Sequence, residues 1–143
     1  MTALDQLVRL HRWTLDEKRQ KLAELERLRA KLLGNIDVLE AELLREQAAA
    51  ELSPAASLAL PSFIQATGER RRKIEESIAE VDRSIEAARD EITQAFQEFK
   101  KYETAHGNHL RREAQKQSRR EQTASDELGI DLHRRQASRS AHG

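Results

Sequence analysis

Two tracts of heptad-spaced apolar residues, divided by a short segment that holds both prolines, most constrain what this chain can become. In the first tract Val8, Leu15, Leu22, Arg29, Ile36 and Leu43 recur every seven residues. Leu4, His11, Lys18, Leu25, Leu32 and Leu39 precede each of them by four. In the second, Ile64, Arg71, Ile78, Ile85, Ile92 and Phe99 take the a positions, and Thr67, Ile74, Val81, Ala88, Ala95 and Tyr102 take the d positions. Alternating spacings of three and four over so many turns put one stripe on one face of a helix, the pattern of a coiled-coil seam. The polar interruptions are His11, Lys18, Arg29, Arg71 and Thr67.

Composition agrees with a seam rather than a thick core. Charged residues make up 35% of the 143 and aromatic residues only 3%, so few bulky side chains are available to fill a globular interior. Pro54 and Pro61 lie in the segment EQAAAELSPAASLALPSF between the tracts, where a proline ends or kinks a helix. Ser53 precedes Pro54 and is biased away from helical angles. Ser62 is a candidate cap for the second helix, with Pro61 as a candidate for its first turn. One break between two matched tracts predicts an all-α fold, a two-helix antiparallel coiled-coil hairpin.

The expected organisation is a single domain over residues 1–143: helix 1 over about 3–52, a turn over about 53–61, helix 2 over about 62–128 and a frayed tail over 129–143. Two registers fit the apolar pattern, one pairing Ile36 with Val81 and one, a heptad away, pairing Ile36 with Ile74. In either, helix 2 overhangs helix 1. Gly34-Asn35 within the first tract is read either as a tolerated weak point, costing about 1 kcal/mol, or as a bend or close approach to a partner.

Nothing in the chain reads as an active site, and no cofactor is expected. Cysteine is absent, which excludes disulfides and thiolate metal sites. His106 and His109 share a helix face but lack the further ligands that zinc requires. No G-x-G-x-x-G or G-x-x-x-x-G-K-[ST] motif occurs, and two helices form no cleft in which to desolvate a carboxylate pair. Formal net charge is zero, from 25 basic and 25 acidic residues, so no global field favours nucleic acid or membrane. The N-terminus interrupts its apolar pattern with Asp5, Arg9 and Arg12 and lacks a signal-peptide core, and no apolar run reaches membrane-span length, so a cytoplasmic protein without membrane insertion is expected.

The candidate contact residues lie near the start of helix 1 and on the overhang. Leu7, Leu10 and Trp13 fall outside the seam, as do Leu28, Leu33 and Leu44. Trp in such a cluster is read as a partner-facing anchor, with a core-widening Trp13 as the alternative. Arg111, Arg112, Lys116, Arg119 and Arg120 form a basic stretch. Acidic residues interleave and no aromatic is present for base stacking, so an acidic protein surface is the expected partner rather than nucleic acid. A basic coiled-coil nucleic-acid binder and a structural spacer that dimerises into a four-helix bundle are the rival readings.

Three stretches carry a family resemblance. The opening LVRLHRWTLDEKRQKLAELERL, the segment ARDEITQAFQEFKKYE over residues 88–103 and the closing SDELGIDLHRR resemble flagellar export chaperones of the FliJ type. Gly34 and the Gly107-Asn108 pair depart from the family's pattern. The resemblance implies a cytoplasmic, non-enzymatic protein, peripherally associated with the inner-membrane type III export apparatus. It implies a likeness to the central stalk of rotary ATPases and a role in flagellum biogenesis, protein transport and, through the flagellum, motility and chemotaxis. The partners it implies are the hexameric export ATPase, the membrane export gate, and export substrates or their chaperones. The equivalent stalk of a virulence injectisome is the close alternative. Lys100, Lys101 and Glu103, which match the family's second-helix signature, join Leu7, Leu10, Trp13, Arg111, Arg112 and Arg120 as expected contact residues.

Overall fold

The computed structural model describes residues 2–142 as two helices, α1 (Ala3–Leu52) and α2 (Pro54–His142), with Ser53 between them. The fold is an all-α antiparallel coiled-coil hairpin. It divides into two compact units, one of His11–Gln97 and one of Met1–Leu10 with Glu98–Gly143.

The turn is far shorter than the expected 53–61. Ser53 alone leaves the helical state, and α2 begins at Pro54, not near Ser62. Local chemistry explains this. Proline at the first helical position has no N–H that needs an intrahelical partner, and its fixed φ suits the helix. Ser53 Oγ accepts from the backbone N–H of Ala56 at 3.4 Å, and its carbonyl accepts from Ser57 N–H at 3.0 Å. Ser53 is therefore the N-cap. Its own N–H still donates to Ala49 O at 3.1 Å, so α1 runs into the turn without a left-handed residue; no described residue has a positive φ. Ser53→Ala removes the capping oxygen and is expected to lower stability by about 1 kcal/mol, read from the thermal midpoint. Pro61 then lies inside α2 rather than at its start.

In the unit of His11–Gln97, the seam assigned from the heptads is the buried one. Leu15, Ile36 and Leu39 of α1 and Val81, Ile85, Ala88 and Ala95 of α2 are buried, with Thr67 beside them. His11, Lys18, Leu22, Leu25, Arg29, Leu32 and Leu43 are half-buried. Ile64 and Arg71, at the turn end of the α2 pattern, are exposed.

Three ion pairs across the helices settle the register. Lys18 Nζ lies 3.4 Å from Glu91, Arg29 Nε donates to Asp82 at 2.6 Å, and Arg71 Nη1 lies 2.8 Å from Glu40. Opposed residue numbers in these pairs sum to 109–111, which places Ile36 level with Ile74 and excludes the pairing of Ile36 with Val81. Leu22 is thereby level with Ala88 and Leu15 with Ala95, so large side chains meet small ones across the seam. Arg71 is held above its ordinary pKa, first by its hydrogen bond to Glu75 and next by the charge of Glu40.

The other unit begins with a capped helix end. Thr2 Oγ1 accepts from Asp5 N–H at 3.2 Å, and Thr2 O accepts from Gln6 N–H at 3.2 Å. Asp5 then reaches α2, with Oδ1 3.6 Å from His106 Nε2. Phe99 is buried, while Leu4, Val8 and Tyr102 are half-buried. From Asn108 to Ala141 every residue is exposed, yet the helix persists to His142 where a frayed tail from 129 was expected. Gln117 donates to Glu121 and Gln122 to Asp126 along the exposed helix ahead of that tail.

Candidate functional site

The residues expected to meet partners fall into three groups that the fold does not gather into one pocket. Leu7 and Leu10, on the first three turns of α1, are 37% and 53% exposed. Both sit off the seam because Leu4 and Val8 occupy it. Trp13 belongs to the other unit and is 58% exposed, so it does not lie flat across the helix pair to widen the core.

The second group is Lys100, Lys101 and Glu103, where the chain already uses its own chemistry. Lys100 Nζ bonds Glu103 at 2.8 Å and stands 5.9 Å from the Phe99 ring centroid. Lys101 Nζ stands 5.6 Å from the centroid of Tyr102. These contacts orient both ammonium groups around the last aromatic residues of the seam.

The third group lies on bare helix. Arg111 donates to Asn108 Oδ1 at 2.9 Å and Gly107 O at 3.4 Å, which ties it back toward the preceding turn. Arg112, Lys116, Arg119 and Arg120 follow at helical spacings of four, seven and eight, so they share a face over about two turns. Lys116 pairs with Glu113 at 3.7 Å, and all of these side chains are exposed. Arg120 lies roughly 13 Å along the axis from Arg111. The charges of this strip are spread along an axis instead of converging on one point.

The histidines considered for metal binding point to separate tasks. His106 faces Asp5, and its Nδ1 is buried without a hydrogen-bond partner, whereas His109 is exposed. Among the described residues no group of three or more His, Cys, Asp or Glu side chains could hold a metal ion, and no helix is long and apolar enough to cross a membrane.

The turn presents an apolar surface that the heptads do not indicate. Leu52 and Leu58 are 90% and 84% exposed, and residues 52–68 carry no charged side chain in a chain that is otherwise charge-rich. The uncharged run itself is the signal, visible once the turn is known to lie at Ser53.

No curated protein and no solved structure matches the chain. A family model described as the flagellar FliJ protein matches residues 1–138. A capped two-helix hairpin whose second helix continues bare, and which agrees with that model over nearly its whole length, belongs to the FliJ family of flagellar export proteins.

Proposed function

We propose that this chain is a stalk-like adaptor and chaperone of flagellar protein export. Its bare basic helix engages the ring of the hexameric export ATPase, with Arg111, Arg112 and Arg120 as the charged contacts and Leu7 and Leu10 as apolar ones. Lys100, Lys101 and Glu103 support that surface, and Trp13 is a separate apolar contact. Other surfaces meet the membrane export gate and the export substrates or their chaperones, so the protein works in the cytoplasm at the inner-membrane apparatus. The observation that carries this reading is the continuation of α2 as exposed, basic helix past the start of α1. A helix left without its partner keeps a whole face free for contact with a ring.

The test mixes the purified chain with the flagellar export ATPase and follows hexamer formation and ATP turnover. Both are expected to rise. The combined variant Arg111→Glu, Arg112→Glu and Arg120→Glu keeps its helical signal and is expected to need at least tenfold more protein for the same effect, because three attractive contacts become repulsive. No change in hexamer formation or turnover with the wild-type chain overturns the proposal.

A further inference from the structure

We propose that the charged pairs flanking the seam are a register lock, which holds the hairpin against a one-heptad slip that its central apolar layers would tolerate. Each pair across the unit of His11–Gln97 begins at a basic residue inside the seam, Lys18, Arg29 or Arg71, and ends on an acid just outside it, Glu91, Asp82 or Glu40. A basic residue at a seam position costs burial; Lys18 and Arg29 are half-buried with their heads on carboxylates, while Arg71 stands exposed at the turn end of the seam.

The alternative register shows what the pairs accomplish. Pairing Ile36 with Val81 places Leu22 on Ala95, Leu25 on Ile92, Leu32 on Ile85 and Leu39 on Ile78, all sound apolar layers. The charges do not survive the move. Arg29 would face Arg89 where it now has Asp82, and Arg71 would face Gln47 where it now has Glu40. Only Lys18 would find another acid, Glu98. Each pair is partly solvated and weak alone. Choosing between two registers with comparable apolar layers needs only a small difference, and one new repulsion beside one lost pair supplies it. This is the use of polar seam residues best established in coiled coils, the specification of one alignment among several.

The lock has a consequence for the surface. A slip of one heptad carries α1 about 10 Å along α2. Leu4 would then stand level with Glu113 in place of His106, and the turns of α2 that hold Arg111 and Arg112 would gain a neighbour. The lock therefore decides where bare helix begins. It stands whether or not that helix enters an ATPase ring.

The test uses the absence of native cysteine, so that Glu24→Cys and Glu69→Cys, both at exposed positions, carry the only spin labels. In the observed register Glu24 is level with residue 86, and a slip lengthens the label distance by about 10 Å. The fourfold variant Asp82→Arg, Arg89→Asp, Glu40→Gln and Gln47→Glu transfers the attractive partners to the slipped alignment without changing composition-wide charge. It is expected to show the longer distance. If that variant is helical and keeps the native distance, the lock is refuted, and the turn at Ser53 together with the apolar layers sets the register. If it loses its helical signal, the double variant Asp82→Arg and Arg89→Asp decides, since it turns the native partner of Arg29 into a repulsion and moves the acid to the position Arg29 faces after a slip. A second, longer distance in that variant supports the lock, and a single native distance overturns it.

Discussion

Replacing Ile85 with Asp is expected to abolish the cooperative thermal transition at room temperature and above, with a loss of roughly 4 kcal/mol or more. Ile85 is only 5% exposed and stands level with Leu25 in the middle of the seam. The substitution removes about 2 kcal/mol of apolar burial and places a charged carboxylate at a buried seam position. Asp82 and Glu86 are its neighbours on the same helix, and Arg29 is already committed to Asp82. A two-helix core has no second layer to absorb the damage, and the whole stability of such a domain is only about 5–15 kcal/mol. Circular dichroism against temperature measures the effect. Arg83→Asp, an exposed site two residues away, is the control and is expected to shift stability by no more than about 0.5 kcal/mol. Equal melting of the two variants would show that Ile85 is not a core residue.

Pro61→Ala moves stability in the opposite direction, by up to about 3 kcal/mol, and raises the midpoint by roughly 5–10 °C. Pro61 is the eighth residue of α2, where its missing N–H leaves Ser57 O without its helical donor and its ring crowds that carbonyl. Its side chain is exposed. Pro54→Ala provides the comparison, because proline at the first helical position costs nothing and its removal is expected to leave the midpoint nearly unchanged. An unchanged midpoint in Pro61→Ala would show that the first two turns of α2 contribute no stability.

Helix and seam were legible from the chain itself. Heptad spacing fixes which face of each helix is apolar, and Leu15, Ile36, Leu39, Val81, Ile85, Ala88, Ala95 and Phe99, all assigned to the seam by spacing, are the buried apolar residues. Gly34 has two readings from the sequence, a tolerated weak point or a bend or close approach to a partner. A Cβ there would meet nothing within 4 Å, so no close contact inside the described chain requires glycine. The position of the turn is not legible in the sequence, because two prolines compete for one break and both are compatible with a helix start. The Ser53 cap and the first-turn position of Pro54 decide between them.

Of the candidate contact surface, the chain alone supplied the residues but not their condition. That Lys100 is engaged by Glu103, that Arg111 bonds Asn108 and that Trp13 stands clear of the core are matters of side-chain placement. What the sequence determined by itself is periodic: two amphipathic helices, their apolar faces and their antiparallel pairing, because each follows from a repeat of three and four along one chain. What only the tertiary structure decided is relational: the alignment of one helix on the other, and with it the point where α2 is left bare. An apolar stripe that repeats every heptad is nearly unchanged by a shift of seven, so alignment depends on which charges meet across the seam, and Arg29 with Asp82 is a contact between residues far apart in the chain.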